Sequence, residues 1–490
     1  MPTRNEIHAA FFKGEPAIVD LFDVVGKQVE ELGSQLEKQS EAIKELQARL
    51  SKDSHNSSKP PSSDGYRKKN VQKRTESLRE KGQKPNGGQL GHEGHTLIAS
   101  ENPDQTTVHK VEQCEHCNIP LKEVAVDDYE ERQVFDIPAI RIEVTAHRTE
   151  IKICPECGHK NQGIFPDGVN NNVQYGNQIK TWSSYFSNQH FIPVKRTAQI
   201  FEDLFNHRIS EATILKANNE LSERVLPAIE TVKEMLTASE TLHLDESGLR
   251  VKGKLHWLHV ASTDKLTHYE VNTKRGTEAM DAAGIITNFK GTATHDHWKP
   301  YFKYENCDHA LCNAHHLREL KFIEKQYHQK WSKKMSSLLL EIKETVEKTS
   351  NDQLSISQIE TFEHQYDEIV NDGFNDNPIS PPKSPESNSK KRGPPKNTPP
   401  VNLLIRLRDF KPQVLAFMYN FRVPFDNNLA ERDIRMVKVK QKVSGCFRTF
   451  EGAEQFGRVR GYISTARKNA KNIFDAIKDA FNGIPFIPFN

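Results

Sequence analysis

The sequence predicts an α/β protein whose main body is a mixed sheet with flanking helices, preceded by a long amphipathic helix and a small cysteine-bearing region. Three observations predict it. Apolar residues recur at heptad spacing from Ile18 to Leu50, the period switches to two from Thr241, and strand-like and helix-like segments alternate after that. At 490 residues the chain is too long for one core. Apolar residues make up 35% and charged residues 27%, so part of the chain forms no core while the rest is ordinary globular protein. Lys and Arg number 68 against 66 Asp and Glu, a balance that would argue against a nucleic-acid partner if the charges were evenly spread. They are clustered, and the local counts decide the matter.

No window approaches eighteen consecutive apolar residues, which excludes a membrane-spanning helix. The start, MPTRNEIHAAFFKGEP, lacks the apolar core of a signal peptide, so a cytoplasmic location is expected. In that compartment seven cysteines point to metal binding or free thiols rather than disulfides.

In chain order, Ile18, Phe22, Val25, Val29, Leu32, Leu36, Gln39, Ile43, Leu46 and Leu50 fall on one heptad seam. That pattern suits a self-associating coiled coil over 16–52, although an amphipathic helix on its own core has the same period. Residues 53–100 are rich in Ser, Pro, Gly and Lys. Between Lys52 and Lys84 ten Lys/Arg face four Asp/Glu, which fits a solvated linker or a basic arm along a phosphate backbone.

Two CxxC knuckles follow in 101–168: Cys114 with Cys117, and Cys154 with Cys157. Together they supply four soft ligands for a structural Zn2+, as in a zinc-ribbon-like DNA-binding domain, and RIEVTAHRTEIKI alternates as a ribbon hairpin would. Residues 170–238 read as three helices. The middle one ends in the short turn His207-Arg208-Ile209 before Ser210, a good N-cap for the third. Helix packing or a DNA-reading helix-turn-helix would both look like this.

TLHLDESG, KLHWLHVASTD and LTHYEVN then alternate as an antiparallel meander, with a helix expected over Thr277–Ile286. GTATHDHW and DHALCNA read as further strands. Residues 318–424 are helical with a proline-rich break and look like an insertion. They divide the main body into 239–317 and 425–475, with a tail at 476–490.

Acids at strand ends are held firmly, so they suit the divalent cations that phosphodiester chemistry needs. Asp245 ends TLHLDES and Asp296 follows GTATH. Singly, each is equally a turn residue or cap. Asp426 is positioned to cap a helix on which Glu431 shares a face with Arg435, Lys438 and Lys442, although an exposed Glu431–Arg435 pair would give the same spacing. From Arg435 to Lys471 ten Lys/Arg face two Asp/Glu, interleaved with Phe447, Phe450, Phe456 and Tyr462. This is the strongest nucleic-acid signal in the chain.

These blocks resemble the DDE transposases of the IS66 insertion-sequence family (TnpC type). The likeness runs through NSSKPPSSD, GGQLGHEGHTL, both knuckles, HLDESG, THDHW, CNAHHLREL, VPFDNNLAERDIR and GYISTARKNAKNIFDAI. It implies a ribonuclease H-like catalytic core, with Asp245, Asp296 and Glu431 as the catalytic triad. It implies two Mg2+ ions (or Mn2+), Asp245 bridging both, Asp296 holding one and Glu431 the other.

The implied reaction is hydrolysis of one strand at each element end, then in-line attack of the freed 3′-hydroxyl on target DNA, with no covalent protein intermediate. Arg435, Lys438, Lys440, Lys442 and Arg448 would bind double-stranded DNA. A homo-oligomer through the coiled coil, companion transposition proteins and nucleoid association are further expectations. Asn313 stands where many members carry Trp, and Cys312, His315 and His316 receive no role. The competing expectation is a zinc-containing DNA-binding protein whose nuclease-like domain no longer cuts.

Overall fold

The computed structural model describes residues 3–50, 97–379 and 397–489. The basic arm between Lys52 and Lys84 and most of the proline-rich break lie outside the described residues. The chain divides into two compact units. The smaller gathers, among the described residues, 97–168 with Gln199–Arg208, and the larger gathers the amino-terminal helices, Val169–Ala198 and Ile209–Asn490.

In chain order the helices are α1 (Arg4–Lys13), α2 (Glu15–Leu50), α3 (Asn177–Ser184), α4 (Val194–Phe205), α5 (Glu211–Arg224), α6 (Leu226–Thr237) and α7 (Thr277–Ala283). They continue with α8 (Asn313–Tyr327), α9 (Lys330–Lys348), α10 (Ile356–Asp376), α11 (Pro399–Asp409), α12 (Lys411–Val414) and α13 (Ala416–Tyr419). The last three are α14 (Asn428–Ser444), α15 (Phe450–Lys468) and α16 (Ile473–Phe481). The strands are β1 (Ile151–Ile153), β2 (Lys160–Gln162), β3 (Thr241–Val251), β4 (Lys254–Ser262), β5 (Thr267–Asn272), β6 (Thr292–His295) and β7 (Asp308–Leu311).

The amino-terminal seam lies on one helix, α2, and much of its heptad face is exposed: Phe22 is 71% and Leu36 66% exposed, while Ile18 and Val25 are half-buried. The third helix expected before the sheet is two, because Pro227 opens α6 just after α5 ends at Val225. The helix expected to reach Ile286 stops at Ala283, where Gly284 takes a left-handed cap (φ 73°). None of the described helices is long and apolar enough to cross a membrane.

The main sheet runs β5-β4-β3-β6-β7. The meander β3–β4–β5 is antiparallel, while β6 and β7 join parallel to β3. Lys252 and Gly253, both at positive φ, close the β3–β4 hairpin. A five-stranded mixed sheet in this order is compatible with a ribonuclease H-like core.

One face of the sheet buries Leu242 and Leu244 with Met280, Ile285 and Phe289. The other buries Leu249, Val260 and Val271 with Ala430, Ile434 and Val437 of α14 and Phe456 of α15. Helices α8–α13 pack around Trp331, Leu339, Tyr366 and Leu404, in a core that also takes in Leu311 of β7.

Candidate active site

Strand register brings two of the three acids together. In the parallel β3–β6 pair His243 lies opposite Thr294, so two residues on, Asp245 and Asp296 stand abreast. Asp296 follows the end of β6, but Asp245 lies inside β3, which does not turn there as expected and runs on to Val251 in its pairing with β4. Adjacent strands lie about 4.8 Å apart, close enough for two carboxylates to share a cation. Asp245 accepts the Glu246 backbone N–H (2.8 Å) and Asp296 that of Trp298 (2.9 Å), which fixes both rotamers.

Burial, then the carboxylates of Glu246, Asp296 and Glu431, hold the Asp245 carboxyl well above the ordinary range. Asp296 is pushed up to about 7 by burial and then by Glu246. Glu431, in the first turn of α14, completes the set of acids acting on Asp245. It pairs with Arg318 (2.9 Å) and approaches His315 Nε2 (3.7 Å). The helix cap is Asn427, one residue later than expected, and Asp426 accepts the Asn428 N–H instead (3.0 Å).

Asn427 is the piece that sequence reasoning missed. Its side-chain amide donates to the Leu244 carbonyl (2.6 Å), its oxygen meets His243 Nδ1 (2.9 Å), and its backbone N–H donates to Cys312 Sγ (3.1 Å). The residue is 2% exposed, so it registers the start of α14 on β3 and on the β7–α8 junction. Asp433 does the same from the next turn, taking Lys468 (2.8 Å) and Thr267 (3.3 Å), while Tyr269 holds its carbonyl (2.8 Å). Replacing Asn427 with Ala orphans buried partners and is expected to cost about 2–3 kcal/mol in a urea titration. It should also raise the Mg2+ concentration needed for cleavage, whereas a change confined to stability would leave that requirement unmoved.

Glu246 occupies the apolar-face series Leu242, Leu244, Glu246. It receives Arg275 at 3.0 and 2.5 Å and Tyr301 at 2.5 Å. Arg275 is stacked between Trp257 and Trp298, at 4.9 and 4.1 Å. Residues flanking both aspartates thus belong to one buried network. An acid at an apolar strand position signals such a partner, but not which residue it is.

The five cations expected at DNA divide. Arg435, Lys442 and Arg448 are exposed. Lys438 turns inward to the Gly248 carbonyl; burial lowers it, and the nearby Asp245 only partly offsets that. Lys440 lies over the rings of Phe447 and Phe456 (3.6 and 5.5 Å), and burial lowers it to about 8.

In the smaller unit each knuckle forms the same turn. Cys114 O accepts Asn118 N and Cys154 O accepts Gly158 N, both at 2.9 Å, with Asn118 and Gly158 at positive φ. Backbone N–H groups lower the Cys114 and Cys154 thiols, as ligand cysteines require. Among the described residues, the four sulfurs are not gathered as one set within 4.8 Å. The expected ribbon hairpin is short: only Ile151–Ile153 of the alternating run pairs, with Lys160–Gln162, and both strands are exposed. All seven thiols are free. Among the described residues, one mixed group does gather its ligand atoms within 4.8 Å: Cys312, His315 and Glu431.

Residues 16–97 match a family of unknown function, DUF6444. No curated protein matches the chain. Residues 172–455, more than half of the 490, match the family described as Transposase IS66 family. That span includes the five-stranded sheet, Asp245, Asp296, Glu431 and the insertion between the last two. The chain belongs to the IS66 family of transposases.

Proposed function

We propose that the chain cuts and rejoins DNA at the ends of an insertion sequence, with Asp245, Asp296 and Glu431 as its catalytic acids. The observation that carries this is the crowding of carboxylates on Asp245: Asp296 stands abreast of it on the neighbouring strand and Glu431 adds to the same repulsion, although Arg318 pairs with Glu431. Such a donor set fits hard divalent cations. Asp245 would hold both Mg2+ (or Mn2+) ions, Asp296 one and Glu431 the other. When bound, the ions stabilise charge on the attacking and leaving oxygens.

The chain's own groups do the rest. The sheet holds Asp245 and Asp296, and Asn427 fixes the start of α14 that carries Glu431. Among the described residues the three acids are not gathered within 4.8 Å, so cations would have to draw Glu431 in from Arg318. Lys438 stands beside Asp245 where a scissile phosphate would lie. Arg435, Lys442 and Arg448 grip the flanking backbone of double-stranded DNA. Lys440, committed to Phe447 and Phe456, shapes the helix rather than touching DNA. Zn2+ on Cys114, Cys117, Cys154 and Cys157 would staple the small unit, and a DNA substrate places the reaction at the nucleoid.

Purified protein with Mg2+ and the DNA ends flanking its gene should give nicked and strand-joined products, both lost in Asp245→Ala. Binding without cleavage, even with companion proteins added, would favour a DNA-binding protein with an inactive nuclease domain.

The exposed seam residues of α2, Phe22 to Leu46, support self-association. A 36-residue helix is about 54 Å long, enough for five heptads of coiled coil. Leu32→Glu with Leu36→Glu is expected to leave a monomer in light scattering where the parent chain is an oligomer. An unchanged mass would place the contact elsewhere.

A further inference from the structure

We infer that Cys312, His315 and Glu431 form a second cation site, selective for zinc, that shares the third acid with the magnesium centre. The inference rests on the proposed function only in giving Glu431 a magnesium role. The geometry is independent of it: one ligand atom from each residue lies within 4.8 Å of the others.

Two helix starts build the group. Cys312 caps α8 and His315 sits three residues on, so this spacing turns both toward the first turn of α14, where Glu431 lies. Burial pushes the Cys312 thiol up to about 12, so it is an incoming cation that must draw off its proton. The Asn427 backbone N–H directed at Sγ (3.1 Å) is the hydrogen bond that a bound thiolate needs. His315 has a buried Nδ1 without a partner, while its Nε2 lies 3.7 Å from Glu431 Oε1.

Thiolate, imidazole and carboxylate are a donor set for zinc and a poor one for magnesium, and three ligands leave a fourth position open. The sulfur is fully buried, but the His315 and Glu431 side chains keep 16% and 25% exposure, which provides an entrance. The Arg318 guanidinium, 2.9 Å from Glu431 Oε1 and itself 26% exposed, stands in for a cation and swings out when one arrives. On binding, the Cys312 thiol releases its proton to solvent and the sulfur takes up the metal. Glu431 is then withdrawn from the magnesium centre, so zinc inhibits DNA cleavage by competition.

The test uses the full chain, stripped of metal and reloaded with Co2+ as a spectroscopic probe and then with Zn2+. The parent chain should take up one more ion than Cys312→Ser or His315→Gln, with a larger thiolate-to-cobalt absorption that includes the Cys312 contribution. Zinc inhibition, read against each variant's own zinc-free activity at fixed Mg2+, should weaken by at least about tenfold in either variant. Equal ion uptake in the parent and in a folded His315→Gln overturns the site even if Cys312→Ser fails to fold. Loss of the extra ion in a chain that shows no cleavage would keep the site and refute the transposition chemistry. An extra ion with unchanged zinc inhibition would refute the sharing of Glu431.

Discussion

Asp245→Asn is expected to reduce DNA cleavage at least about a thousandfold while making the metal-free protein more stable. The two effects have one cause. In the parent chain burial and the neighbouring carboxylates oppose the ionised forms of Asp245 and Asp296, so both ionise at neutral pH only at a penalty. The amide keeps the acceptor for the Glu246 N–H but carries no charge, so the folded state loses a destabilising ion together with its cation ligand.

The sign of the pH dependence follows. Asp245 and Asp296 have folded pKa values above the unfolded value of 3.8, so the native state binds more protons. Their stabilising contribution is complete below about pH 3.8 and is lost as pH rises, through about 7 for Asp296. For Asp296 this loss is on the order of a few kcal/mol, after discounting its partial exposure. Thermal melts of the chelated protein should therefore fall between pH 4 and 7, less steeply in Asp245→Asn, and saturating Mg2+ should flatten the parent curve. A variant that loses activity and stability together would point to a structural aspartate.

Arg275→Ala is expected to destabilise the larger unit by about 3–5 kcal/mol, the usual consequence of leaving one member of a buried ion pair alone. Glu246 would keep only the Tyr301 hydroxyl. Adding Glu246→Gln should recover much of the loss, because the orphaned charge goes with it. Denaturant titration of the two single variants and the double variant measures the coupling. Additive losses would mean that Arg275 acts through its Trp257–Trp298 stack rather than through the carboxylate.

The meander, the switch from period two to helix, and the helical insertion were legible because local patterning determines them. Asp296 was legible as an acid at a strand end; Asp245 was expected at one too but lies inside β3, because pairing with β4 carries the strand on to Val251, and only register places the two abreast. Glu431 stood out on a helix face shared with cations and gained its triad role from the resemblance, but its partner Arg318, 113 residues away, had no sequence signal. Asn427 was equally silent: its three hydrogen bonds reach β3 and the β7–α8 junction, contacts that exist only after folding. Lys438 and Lys440 were counted with the exposed cations because composition does not distinguish an outward lysine from one turned to a carbonyl or laid over rings. The strands expected from RIEVTAHRTEIKI mostly did not form, since alternation specifies a face but not a core for it to cover.

The separation of Asp296 and Glu431 along the chain has a consequence during translation. The two lie 135 positions apart (431 − 296), with the packed helices α8–α13 between them. At roughly 5–20 residues per second, a ribosome needs about 7–27 seconds to pass from the second acid to the third. Throughout that interval the nascent polypeptide carries a sheet with two aspartates and no α14. Any message truncated before Asn427 yields a product that lacks the third acid, while α2 has long since emerged and can meet its neighbours on the same polysome. Assembly can therefore begin before the nuclease is complete.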